Sequence, residues 1–215
     1  SPIYDGRIQD TLDSRMEVYR HNSIRVPSVA GHIIPERAYT HKAYEDEILE
    51  PMYRDIAALE PEGILHDEWL NARGAIARFC RGSIEVRVLD VQERPAADVA
   101  IAYLITKAIQ ALVEEHHSPY SAQQAWEIGP LEAILLKTIR EAEGAQIDDL
   151  DYLDVLGVSG GPMTAGEVWE ELYGVVSAGL SATEQDIMRP VEVILSEGTL
   201  ASRIKAAVEH EPSRE

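Results

Sequence analysis

Apolar residues recur with helical spacing over most of this chain, and strict alternation interrupts that pattern once, before its midpoint. Residues 41–59 set Tyr44, Ile48, Leu49, Met52, Tyr53 and Ile56 on one helical face, with Pro51 expected to kink or restart the helix. From Pro95, a good first helical residue, Val99, Ala102, Tyr103, Ile105, Ile109, Leu112 and Val113 predict a long amphipathic helix to about residue 117. Ser121-Ala-Gln-Gln124, Thr164-Ala-Gly-Glu167 and Ser181-Ala-Thr-Glu184 read as capping boxes opening three more helices, the first reaching about residue 143. Residues 157–162 form a breaker-rich loop, a last helix is expected over 199–208, and the tail beyond His210 is expected to fray. Residues 1–40 read as irregular apart from a short helix over 13–20, with Glu60-Pro-Glu-Gly63 as a later turn.

The exception is Arg81-Gly-Ser-Ile-Glu-Val-Arg-Val-Leu-Asp90. Successive side chains on a strand point to opposite faces, so Ile84, Val86 and Val88 are expected to pack inward while Glu85, Arg87 and Leu89 share the outer face. A carboxylate and a guanidinium thus stand side by side on one rigid element. The whole pattern predicts an α+β fold: a sheet-bearing part over residues 1–94 and a mainly helical part over 95–215.

Charge narrows the ligand class. The chain of 215 residues carries a formal net charge of −19, which argues against nucleic acid and against an anionic membrane surface as partners. The charge is uneven: residues 1–94 hold 12 Lys and Arg against 17 acids, whereas residues 141–215 hold 4 against 16, so an anionic ligand is expected in the first part. Cys80 is the one cysteine, which excludes an internal disulfide and a thiolate zinc cluster and predicts a reducing, cytoplasmic setting. No apolar run approaches the roughly 18 residues that cross a bilayer, and a signal peptide's charged and apolar regions are lacking at the N-terminus, so a soluble chain is expected.

Two constellations could carry chemistry. Glu85 and Arg87, with Asp90 and the upstream Arg73, Arg78 and Arg81, suit phosphoryl transfer, because a hard cation takes carboxylate and phosphate oxygens and arginine neutralises a phosphoryl group in flight. The competing interpretation is a structural ion pair on a solvated sheet face. In His66-Asp-Glu-Trp-Leu-Asn-Ala-Arg-Gly74, Asn71 and Arg73 could hold a substrate carboxylate, Arg73 through its bidentate fork; equally, the segment could be an edge element whose Trp69 fills a gap. The histidines lack ligand spacing, Cys80 beside Phe79 suits a small buried hydrophobe, and Asp148-Asp149-Leu-Asp151 lacks the glycine and glutamate of a calcium loop.

Over roughly residues 1–115 the chain resembles the glutamate-cysteine ligase superfamily, whose fold is related to glutamine synthetase. Ser83-Ile-Glu-Val-Arg-Val-Leu-Asp90, followed by a proline and a long helix, is similar to that family's Glu-x-Arg strand. Ser1-Pro2-Ile-Tyr-Asp-Gly6 resembles the stretch ahead of a substrate arginine, where Ser14-Arg15 stands here, and Asn71-Ala-Arg73 resembles a segment ahead of the strand. The resemblance implies part of an antiparallel glutamine synthetase-like sheet. It implies Glu85 as a ligand of Mg²⁺, Arg87 on the transferred phosphate of ATP, Arg15 on a carboxylate of the amino-acid substrate, Arg73 near phosphate or substrate, and Asn71 beside it. The reaction implied joins glutamate, through a γ-glutamyl phosphate, to an amine such as cysteine, as in glutathione biosynthesis. The family's further metal-binding carboxylates lie on strands ahead of the segment with which this chain opens. The resemblance therefore implies the C-terminal portion of a longer ligase, partnered by its N-terminal portion and inactive alone. A non-catalytic acidic helical module, or a ligase of this fold with a different acid or amine, remain the alternatives.

Overall fold

The computed structural model describes residues 1–22 and 26–210, so the tail expected to fray beyond His210 lies outside the described residues. In chain order the first elements are β1 (Ile3–Tyr4), β2 (Arg7–Ile8), α1 (Ser14–Asn22), α2 (Pro27–Ala30), α3 (His41–Tyr44) and α4 (Glu50–Ala57). Then come β3 (Ala75–Arg78), β4 (Ser83–Val86), α5 (Pro95–Val113), α6 (Tyr120–Gln124), α7 (Ile128–Glu141) and β5 (Gln146–Ile147). The series ends with α8 (Leu150–Val155), β6 (Met163–Thr164), α9 (Ala165–Ser177), α10 (Ala182–Glu197) and α11 (Leu200–His210). Among the described residues three two-stranded antiparallel sheets, β1-β2, β3-β4 and β5-β6, stand among these helices, so the fold is α+β with a helical C-terminal half. The chain divides into two compact units, one of residues 1–15, 90–126 and 134–215, the other of residues 16–89 and 127–133.

In the first unit, α5 lays Ala100 and Leu104 against Met188 and Val191 of α10, with Tyr103 and Leu195 packed alongside. A second core joins Ile147, Leu153, Val158, Val168 and Leu172. Helices α9 and α10 open on complete capping boxes, Thr164 with Glu167 and Ser181 with Glu184, as their sequences require. The box expected at Ser121 does not form. Pro119 precedes α6, α6 stops at Gln124, and α7 starts afresh at Ile128. Pro130 explains the break: in the first turn of α7 its missing N–H is not needed, whereas a helix running on from residue 121 would bury that defect in its interior. Contrary to expectation, α5 is long and apolar enough by length and composition to cross a membrane. Asp98 and Lys107 interrupt its apolar run in the sequence without lowering its average below that of a spanning segment.

The second unit carries the helix predicted over 41–59 in two parts, ending at Ala57. A π turn, Glu45–Leu49, separates α3 from α4, and Pro51 falls in the first turn of α4, so the expected disruption is taken up as a local widening. Tyr44, Ile48, Leu49 and Met52 form its core, with Leu70, Ala77 and Phe79 packed against them. Beside this core runs the β3-β4 hairpin, with Ile76 opposite Glu85 and Arg78 opposite Ser83. Its polarity departs from the expectation at Ile84, whereas Leu89 is exposed as expected. Ile76 and Arg78 are buried on the face that β4 shares through Glu85, while Ile84 on the other face is 63% exposed. A buried guanidinium such as that of Arg78 is tolerated when carboxylates neutralise it, which is the arrangement found below.

Candidate functional site

The site begins with the hairpin turn. Phe79–Arg81 make one 3-10 turn, and Gly82, at φ 58°, supplies the left-handed residue that returns the chain into β4. The resulting register sets Arg78 diagonally across from Glu85 on one face, a separation that a long side chain spans. Arg78 Nη1 donates to Glu85 Oε2 at 2.8 Å. The other oxygen of Glu85, Oε1, lies 3.0 Å from Arg87 Nε. Arg87 follows the last residue of β4, yet its backbone N–H still donates to Gly74 O at 2.8 Å, extending the ladder by one rung. On its far side, Arg78 Nε donates to Glu68 Oε2 at 3.4 Å, and Glu68 is tied to the turn by the Phe79 N–H at 3.1 Å and the Cys80 thiol at 3.2 Å. Four side chains thus alternate in sign: Glu68, Arg78, Glu85, Arg87.

Burial pushes the Glu85 carboxyl up, but the hydrogen bond from Arg78 and the charges of Arg87 and Arg78 outweigh it and hold the group below its ordinary value. Exposure rises along the series of arginines: the Arg78 side chain is 8% exposed and that of Arg87 is 22% exposed. Arg87 is therefore the end at which an anion can meet this set of charges. Cys80, expected to be buried, is exposed.

Arg73 and Asn71 belong to the same unit but face inward. Arg73 is 3% exposed; its Nε donates to Glu36 Oε2, its Nη2 to Glu36 Oε1 at 2.6 Å, and its Nη1 to Ser28 O at 3.0 Å and Asn71 Oδ1 at 3.1 Å. Burial pushes the Glu36 carboxyl up, and the hydrogen bond and charge of Arg73 more than reverse this. A β-carbon on Gly31 would come within 2.8 Å of Glu36 Oε1 and 3.2 Å of Arg73 Nη2, so glycine is what lets the backbone close over the pair. Asn71, fully buried, donates to Tyr44 Oη at 2.8 Å and accepts from the Arg73 N–H at 3.2 Å. With these donors spent on the protein, the Arg73 fork is a strut of the unit. Arg15 lies in the first unit, its Nε 3.5 Å from Asp90 Oδ2 and its Nη2 3.9 Å from Asp13 Oδ2.

The structure thus joins Glu85 to Arg87, joins Arg73 to Asn71, and sets Arg15 among the aspartates of the first unit. Arg78 was visible in the sequence only as one of several upstream arginines, Glu68 only as a member of the His66–Gly74 segment, and Glu36 carried no signal at all. Next to Glu68 opens an acidic pocket of about 510 Å³, whose lining includes Glu45, Asp46, Glu50, Tyr53, His66 and Asp67. Burial, then the charges of Asp67, Glu68, Glu50 and Glu45, push the Tyr53 hydroxyl up to about 12.

A divalent metal fits this chain poorly by itself. Both oxygens of Glu85 face guanidinium groups, and among the described residues no cluster of three or more His, Cys, Asp or Glu could hold an ion. Guanidinium donors match phosphate oxygens in geometry, and Arg87 is the more exposed of the two arginines in this set.

Comparison with known proteins gives this arrangement its context. The family model described as Glutamate-cysteine ligase family 2 (GCS2) matches residues 1–215. An uncharacterized protein of Archaeoglobus fulgidus is 36% identical over 115 residues, which make up 54% of this chain and 31% of that protein. The chain thus covers about a third of the length of the relative it matches. No solved structure matches it significantly. The chain belongs to glutamate-cysteine ligase family 2.

Proposed function

We propose that this member of the glutamate-cysteine ligase family contributes the phosphate-facing arginine of an ATP-dependent carboxylate–amine ligase. The observation that carries the reading is the Glu85–Arg87 pair on a hairpin whose register and cross-strand Arg78 hold it still. In the reaction, a side-chain carboxylate oxygen of glutamate or a similar acid attacks the γ-phosphorus of ATP. The bond from that phosphorus to the β,γ-bridging oxygen breaks and ADP leaves. The amine nitrogen then attacks the acyl carbon, the bond to the phosphate oxygen breaks, orthophosphate departs, and the amine proton passes to solvent. Arg87 would neutralise charge on the phosphoryl oxygens while they change partners; the acyl phosphate supplies the reactivity, and the protein positions and screens. ATP is accordingly a co-substrate. Enzymes of this kind use Mg²⁺ with it; Glu85 would offer one carboxylate, which does not make a metal site alone, and no step is assigned to the ion. Arg73 and Asn71 are read as support for the hairpin rather than as groups that touch substrate. Arg15 would hold a substrate carboxylate only after exchanging Asp90 for it.

The test is ADP release by this chain joined with the N-terminal portion that the resemblance implies, given ATP, magnesium, glutamate and a panel of amines that includes cysteine, with products identified by mass spectrometry. ADP release that requires both acid and amine, with an amide of matching mass, supports the reading. Release indifferent to both, or none from any combination, rejects it in favour of a non-catalytic acidic module.

A further inference from the structure

We propose that Arg78 and Glu68 are positioning residues of the Arg87 site, holding its guanidinium in place through Glu85; this rests on the reading of Arg87 as the group that meets phosphate. Arg78 is 7% exposed, and a guanidinium removed from water has to be compensated on more than one side. Glu85 and Glu68 supply that compensation, one on each side, at 2.8 and 3.4 Å. The series is anchored to backbone at both ends: Glu68 on the Phe79 N–H, and Arg87 through its own N–H on Gly74 O. Between these anchors Glu85 accepts a hydrogen bond from Arg78 on one oxygen and sets the other 3.0 Å from the buried Arg87 Nε as an ion pair, so Arg78 decides which oxygen is left for Arg87. A carboxylate fixed in this way holds the Arg87 side chain in one orientation before any ligand arrives, which is the preorganisation that phosphate recognition requires. The set of four charges sums to zero, and an anion at the exposed end of Arg87 continues the alternation.

Without Arg78, Glu85 is free to turn both oxygens onto Arg87 or into water, and Arg87 loses its fixed direction. Arg78 touches neither ligand nor reacting atoms in this scheme; its influence passes through Glu85.

The experiment is a tripolyphosphate titration of the whole chain, followed by the ¹⁵N–¹H signal of the Arg87 Nε–H, which is assigned by its loss in Arg87→Met. Arg78→Met should weaken tripolyphosphate binding about tenfold, roughly the worth of one charge-assisted hydrogen bond, and broaden or shift the Arg87 signal before ligand is added. Arg78→Lys should restore part of the affinity, and Glu68→Gln should cost a smaller loss. Because Arg78 acts through Glu85 on Arg87, Arg78→Met should cost little further in an Arg87→Met background. Affinity unchanged in Arg78→Met, or a loss that adds in full to that of Arg87→Met, overturns the proposal. Should Arg78→Met fail to fold, Glu68→Gln decides: an unchanged Arg87 signal and unchanged affinity overturn it. If the unsubstituted protein shows no response at Arg87, or Arg87→Met binds as tightly, the phosphate reading itself falls and the positioning role falls with it.

Discussion

Replacing Arg73 by methionine removes a guanidinium and keeps most of the stem that packs around it. Both oxygens of Glu36 and the Ser28 carbonyl then lose the guanidinium donor, while Asn71 Oδ1 loses one of two donors and keeps the backbone N–H of residue 73. Deleting one partner of a buried ion pair costs about 3–5 kcal/mol, against under about 1 kcal/mol for a pair on the surface. Glu36 is 32% exposed and can recover part of its hydration, so the lower end applies, about 3 kcal/mol. Urea unfolding followed through the buried methyl groups of Met52 and Ile76 reports the unit that holds the pair. The pH dependence gives a second reading. In the native protein the Glu36 carboxyl is held below its ordinary 4.5, because Arg73 outweighs the burial that pushes it up. A carboxyl lowered by folding adds stability above its unfolded value and loses it as pH falls through the folded value. The unsubstituted protein therefore loses this contribution below about pH 4.5, whereas in Arg73→Met burial acts on Glu36 against only a backbone hydrogen bond and the charge of His32, and protonation relieves it. The gap between the two proteins should be widest near pH 7 and narrow by pH 3. A difference under about 1 kcal/mol at neutral pH, or a gap indifferent to pH, refutes the strut and returns Arg73 to the ligand-binding groups.

Three further outcomes are expected. Met52→Ala empties a site at 0% exposure in the core of the second unit and should cost about 2–5 kcal/mol, measured by the same urea titration. Glu85→Gln leaves the buried Arg78 with one charged partner, so it should lower stability by about 1–2 kcal/mol as well as weakening anion binding; a loss confined below pH 4 would contradict this, since the lowered carboxyl contributes at neutral pH. Tyr103→Phe should raise the titration midpoint of Glu184, now brought down to about 2 first by the Tyr103 hydroxyl and then by Ser181; carbonyl ¹³C shifts against pH would follow it, and an unmoved midpoint would count against the bond.

What the sequence discloses depends on how far apart the interacting groups lie. The boxes at Thr164 and Ser181 are legible because side chain and backbone donor fall within one turn. The break before α7 was legible in principle, from Pro130, but a cap-like string at Ser121 outweighed it. β5 and β6, two residues each, are too short for any periodicity, and they pair across fifteen intervening residues. Alternation along β4 told correctly which residues share a face, and it cannot tell which face is covered. What the alternation misses is the diagonal cross-strand partner, Arg78, which is buried beside Ile76 and donates to the half-exposed Glu85. Arg73 shows the same limit: its partner, Glu36, lies 37 residues upstream, a distance at which spacing carries no information.

The most direct measurement is equilibrium binding of ATP to the unsubstituted protein and to Arg87→Met. The account predicts saturable binding to the first, with the unfolding temperature rising as nucleotide is added, and affinity about tenfold or more weaker in the second. Equal affinity in the two proteins, or no binding to either at millimolar nucleotide, would contradict it.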